Sequence, residues 1–131
     1  MKKTNFTFKQ RKNFAPILET SAFVSALIAI ADQNPEGFTV DASTLEPVTT
    51  GYSVAIAETQ NSFGPAGLEN VHDAIICGMA ECVGGWFDSE SGKYYFDAVN
   101  IYRNKYQAIE IGRANSQIAI FDLDNLDEIR L

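Results

Sequence analysis

Side chains able to do covalent or acid–base chemistry are sparse in this sequence. The single histidine, His72, follows Val71 at the margin of an apolar stripe with helical spacing, without an Asp, Cys or second His at ligand spacing. Cys82 comes ten residues later, about 280° further round an ideal helix, so the pair would not face one site. Cys77 and Cys82 lie on one predicted helix and its end, about 140° apart, which favours free buried thiols in a reducing cytoplasm over a disulfide. Ser53, Ser62, Ser89, Ser91 and Ser116 fall in predicted turns or strands without a nucleophile-elbow pattern. Gly84-Gly85 and Gly64-Pro65-Ala66-Gly67 lack the Lys-Ser/Thr of a phosphate loop, and the second reads as a helix entry rather than an anion site. These residues predict no catalytic group, no metal site and no cofactor.

Recognition chemistry is better represented. Trp86, Phe87, Tyr94, Tyr95, Phe96, Tyr102 and Tyr106 fall within twenty-one residues. Alternation puts Tyr94 and Phe96 on one side of a strand and Tyr95 on the other, so one side should be core and the other open. Tyr and Trp dominate interface hot spots. Asp88, Glu90 and Asp97 flank the same hairpin, with a spacing that suits a solvated turn better than a paired acid and base. Trp86, Asp88, Glu90, Tyr95, Asp97 and Tyr102 are the candidate contact residues.

Charge is distributed unevenly over the 131 residues, whose net charge is −7. Lys2, Lys3, Lys9, Arg11 and Lys12 supply five of the ten basic residues, with no acid among the first twelve positions. Residues 13–131 keep five basic and all seventeen acidic residues, a body of −12. Such a body repels nucleic acid and suits a basic partner surface. Nucleic acid is expected to be touched only weakly, through the five basic residues of the arm.

The elements that would position these residues follow from periodicity. Residues 1–13 read as a flexible basic arm and 14–131 as one α+β domain. An apolar run of about ten residues, Ala22 to Ala31, is too short to span a bilayer. It reads as part of a buried amphipathic helix starting near Pro16, rather than as a leader. Gly37–Asp41 and Gly51–Ala57 read as an antiparallel pair with a long connection. Leu68, Val71, Ile75, Ile76 and Met79 mark a second helix that Gly84-Gly85 stops. Val83–Asp88 and Lys93–Tyr102 around Ser89-Glu90-Ser91-Gly92 form the strongest hairpin signal. Asn104 caps a third helix, and Asn115 would end it in a left-handed conformation. Ile118–Leu123, apolar at its start, reads as a central strand, and Glu128–Leu131 as the last one. A helix followed by two strands thus occurs three times, without a convincing residue-level repeat. The expected fold is α+β: a mostly antiparallel sheet with three helices on one face. Ile129 and Leu131 would leave an apolar edge able to form a homodimer.

The stretches Gly37-Phe38-Thr39-Val40-Asp41, Gly51-Tyr52-Ser53-Val54-Ala55, Gly84 to Asp97 and Gln117 to Leu123 resemble uncharacterised small proteins of phages and bacterial conjugative elements. Some of these are modules of larger polyvalent proteins. The resemblance covers residues 37–131 and rests on structural motifs. It implies a cytoplasmic, accessory role and supplies no catalytic residues. The expected function is binding another protein through the acidic body and the aromatic hairpin, with mimicry of nucleic acid against host defence as one form. The alternative is a small enzyme with a pocket near His72 and Cys82.

Overall fold

The hairpin between residues 82 and 102 is the spine of the fold. In the computed structural model, which describes residues 16–131, β3 (Cys82–Asp88) and β4 (Lys93–Tyr102) pair antiparallel from Cys82↔Val99 to Asp88↔Lys93. Before them come α1 (Thr20–Gln33), β1 (Phe38–Asp41), β2 (Tyr52–Ala55), a short 3-10 turn (Ala57–Thr59) and α2 (Gly64–Ile76). After them come α3 (Lys105–Ala114), β5 (Ala119–Asp122) and β6 (Asp127–Arg130). The chain is α+β, with one six-stranded antiparallel sheet in the order β1-β3-β4-β2-β5-β6. The arm predicted over residues 1–13 lies outside the described residues.

Two strand assignments need correction. β1 and β2 do not pair with each other, because the β3–β4 hairpin inserts between them: β1 pairs with β3 and β2 with β4. β1 instead turns back on itself, since Asp41 N–H donates to Glu46 O (2.9 Å) and Val48 N–H to Thr39 O (2.9 Å). β5 is inside the sheet but next to last, and Ile118, at its apolar start, is 74% exposed. β6 forms the edge, and Ile129 and Leu131, partly buried, pack in the cluster under α3.

Alternation assigns the faces. Phe38, Val40, Val83, Phe96, Ala98, Val54 and Ile120 share one side of the sheet by register. All three helices pack there: α1 and α2 through Phe23, Leu27, Leu68, Val71 and Ile75, α3 through Ala108. Each buried large side chain contributes roughly 1.5–3 kcal/mol. The apolar contacts divide into two clusters, one under α1 and α2 and one under α3. Asn100, which shares the inner face with Ala98 and Tyr102, sits at their boundary. Its amide donates to Met79 O (3.1 Å) and its carbonyl accepts from Glu81 N (3.2 Å). α3 reaches the sheet closely because Gly112 has no side chain: a Cβ there would lie 2.7 Å from Leu131 Cδ1 and 2.8 Å from Ile120 Cγ2.

Helix ends explain the other differences from periodicity. α1 starts at Thr20 rather than near Pro16, because the Glu19 carboxylate caps Ala22 N–H (2.8 Å). α2 ends before Gly84-Gly85. Gly78, at φ 79°, donates to Ile75 O and Met79 to Ala74 O, both at 3.0 Å, closing a Schellman motif. Ile76 and Met79 consequently leave the apolar stripe and are 58% and 46% exposed. α3 is capped by Asn104, as its sequence predicts. The left-handed residue at its end is Ser116 (φ 60°), one place beyond Asn115, whose amide binds Ala55 O (3.0 Å).

A repeat absent from the residue sequence exists at the level of turns. The carboxylates of Asp41, Asp88 and Asp122 accept backbone N–H bonds two residues on, from Ser43 (2.8 Å), Glu90 (3.1 Å) and Asp124 (3.1 Å). Four residues after each Asp stands a left-handed residue: Leu45 (φ 62°), Gly92 (φ 71°) and Leu126 (φ 53°). Three hairpin loops thus share one design. The Asn125 amide and nearby backbone bonds hold the Asp122 carboxyl below the usual carboxylate range.

Candidate functional site on the open sheet face

The sheet side opposite the helices carries the candidate site. Trp86 and Tyr95 stand directly across the β3–β4 ladder. Their rings stack at 5.0 Å and 17°. Phe63, the residue that precedes α2, bridges to Tyr95 and meets its ring edge-on at 5.6 Å. Lys93 Nζ lies 4.1 Å over the Phe63 ring. Each ring pair adds about 0.5–1.5 kcal/mol beyond area burial, and an exposed cation–π contact about 0.5–1 kcal/mol. The cluster is therefore pre-ordered. It also stays open, with Trp86 48% and Phe63 41% exposed.

Asp97 belongs to this group rather than to the turn. It pairs with Gly84 in mid-ladder and accepts a hydrogen bond from the Trp86 side chain. Burial pushes its carboxyl up to about 6, against the lowering effect of that bond. Asp88 is on the same face but at the hairpin end, where its carboxylate holds the turn. Glu90 is exposed at the turn itself. Tyr102 is separated from them all: its register with Tyr52 puts it on the helix side, packed in the α3 cluster. Of the six predicted contact residues the structure joins Trp86, Tyr95 and Asp97, and it adds Phe63.

The same hairpin has a second aromatic group on its inner side. Phe38, Tyr94 and Phe96 stack in sequence, at 6.2 Å (Phe38–Tyr94) and 5.2 Å (Tyr94–Phe96). Tyr94 donates its hydroxyl to Asn34 O (2.6 Å), and burial raises its phenol to about 12. This group is part of the core.

His72 and Cys82 do not converge. His72 is 7% exposed and held between the helices: Nε2 is 2.8 Å from Leu18 O, Nδ1 is 3.3 Å from Thr20 Oγ1, and Phe23 meets the ring at 4.9 Å. The ring joins α1 to α2. Cys82 is buried on the open-face side of β3, and Cys77 is exposed at the end of α2; neither is in a disulfide. Among the described residues no group of three His, Cys, Asp or Glu could hold a metal ion. A shallow depression of about 520 Å³ along α3, lined by Asn104, Tyr106, Gln107, Ile109, Glu110 and Arg113, contains neither thiol nor imidazole. No described helix is long and apolar enough to cross a membrane. No family model, curated protein or solved structure matches the chain.

Proposed function

We propose that this chain is a non-enzymatic accessory protein that binds another protein through the open face of its sheet. The observation that carries the reading is the Phe63–Tyr95–Trp86 cluster, pre-packed yet with Phe63 and Trp86 nearly half exposed, on the side opposite the helices. A folded domain gains nothing in stability from keeping its only tryptophan half in water, whereas interface cores are built from such anchors. The acidic body supports a partner with a basic surface, including one that otherwise receives nucleic acid. The resemblance of residues 37–131 to proteins of phages and conjugative elements supports a cytoplasmic role in a mobile genetic element.

The test is affinity capture from a phage- or element-bearing bacterium. Wild type is compared with Trp86→Ser/Tyr95→Ser and with Tyr106→Ser on α3. A partner retained by wild type and Tyr106→Ser but lost by the double variant is expected. A partner bound equally by all three would reject the open face as the contact surface.

A further inference from the structure

The two edges of the sheet end differently. β1 is closed by its own chain: Asp41 N–H donates to Glu46 O and Val48 N–H to Thr39 O, around a bridge from Val40 to Pro47. Among the described residues nothing pairs with the outer side of β6. No proline, lysine or bulge blunts it either, the usual guards of an edge. Leu131 N–H donates to Ile118 O (3.0 Å), which sets the phase of the β5–β6 ladder. Leu131, Ile129 and Asp127 therefore turn their backbone groups to β5, and Glu128 and Arg130 turn theirs outward. The side chains of both outward residues are exposed, Glu128 59% and Arg130 72%.

We propose that β6 pairs antiparallel with β6 of a second copy of this chain, about a two-fold axis at Ile129, with Glu128 opposite Arg130 of the partner subunit. Outward-turned residues can bond only to outward-turned residues, so a strand this short has few registers to choose from. Glu128 against its own copy, or Arg130 against its own copy, sets like charges directly across the ladder, which is destabilising. Glu128 against Arg130 of the partner subunit instead gives two opposite-charge pairs. The same register sets Ile129 against its own copy on the helix side, continuing the cluster under α3. Within one copy Arg130 Nε already lies 3.5 Å from Glu128 Oε1. That exposed contact is weak and gives way at little cost. The axis is normal to the sheet, so both open faces point to one side and two Trp86 clusters are presented together. The inference stands whether or not that face binds a partner.

Sedimentation of the full chain over a concentration series is the test. A reversible monomer–dimer equilibrium is expected, with a Kd of about 10 μM or weaker, because so short a ladder buries less than a standard interface. Glu128→Arg and Arg130→Glu should each weaken it by about tenfold or more, since each sets like charges across both pairs. Mixing the two variants should restore association as a heterodimer in which every pair is opposite. Should either variant not fold, Glu128→Arg/Arg130→Glu takes their place and should dimerise like wild type. A chain still monomeric at about 1 mM overturns the proposal. So do single variants that associate like wild type, a mixture no better than its components, or a charge-swapped double variant that stays monomeric. Loss of the dimer on deleting residues 2–12 would assign it to that basic segment, and loss in Trp86→Ser/Tyr95→Ser to the open face; either result also overturns the β6 pairing.

Discussion

The two sides of the β3–β4 hairpin carry the same kind of residue in opposite circumstances. On the inner side Tyr94 and Phe96 stack with Phe38 beneath α1 and α2, and Phe96 is 1% exposed. On the outer side Trp86 and Tyr95 stack just as closely, with Trp86 48% exposed. Ring stacking is therefore no guide to role. What separates the groups is cover: three helices lie over one face, while on the other Trp86 stays 48% exposed, with Gly37, just before β1, opposite it. The inner rings are fastened by burial and by Tyr94's bond to the loop after α1; the outer ones are ordered by each other, by Asp97 and by Lys93.

Substitutions sharpen that contrast. Phe96→Ala, emptying the inner stack, should cost about 3–5 kcal/mol in denaturant unfolding. A loss below about 1 kcal/mol would mean that the inner side is not core. Asp97→Asn tests the outer carboxylate. A carboxyl raised to about 6 in the folded protein holds a proton that the unfolded chain has released from about pH 4 upward. Stability from this group is thus present at low pH and lost as pH rises through 6. Relative to wild type, Asp97→Asn should gain stability between pH 4 and 7, by at most about 3 kcal/mol and less with solvent screening. Parallel pH curves would remove Asp97 from its desolvated position. Trp86→Ser, which loses one stack and a half-buried ring, should cost about 1–2 kcal/mol, well short of Phe96→Ala. Tyr94→Phe should cost about 1 kcal/mol for the lost bond to Asn34 O, read as a lower unfolding midpoint with unchanged slope.

Much of this contrast was legible in the sequence, and the failures have physical causes. The turn residues and alternation in 83–102 fixed the hairpin and split Tyr94 and Phe96 from Tyr95. The same alternation, carried six more places, puts Tyr102 with Phe96, so its exclusion from the site was readable. Phe63 was not: it joins Tyr95 from thirty-two residues away, through a bridge no local pattern encodes. Nor was the separation of β1 from β2, since the hairpin that divides them comes later in the chain. The shared turn has no common sequence signature, because two of its three left-handed positions are leucines, where side-chain sterics favour glycine or asparagine.

The most direct test is to measure partner binding and thermal unfolding together on Trp86→Ser/Tyr95→Ser. If the outer rings exist for recognition, the variant melts within a few degrees of wild type and its far-UV spectrum is unchanged, while the partner is lost. A variant that unfolds as early as Phe96→Ala, or one that keeps its partner, would show that the outer rings are a second piece of core or a bystander.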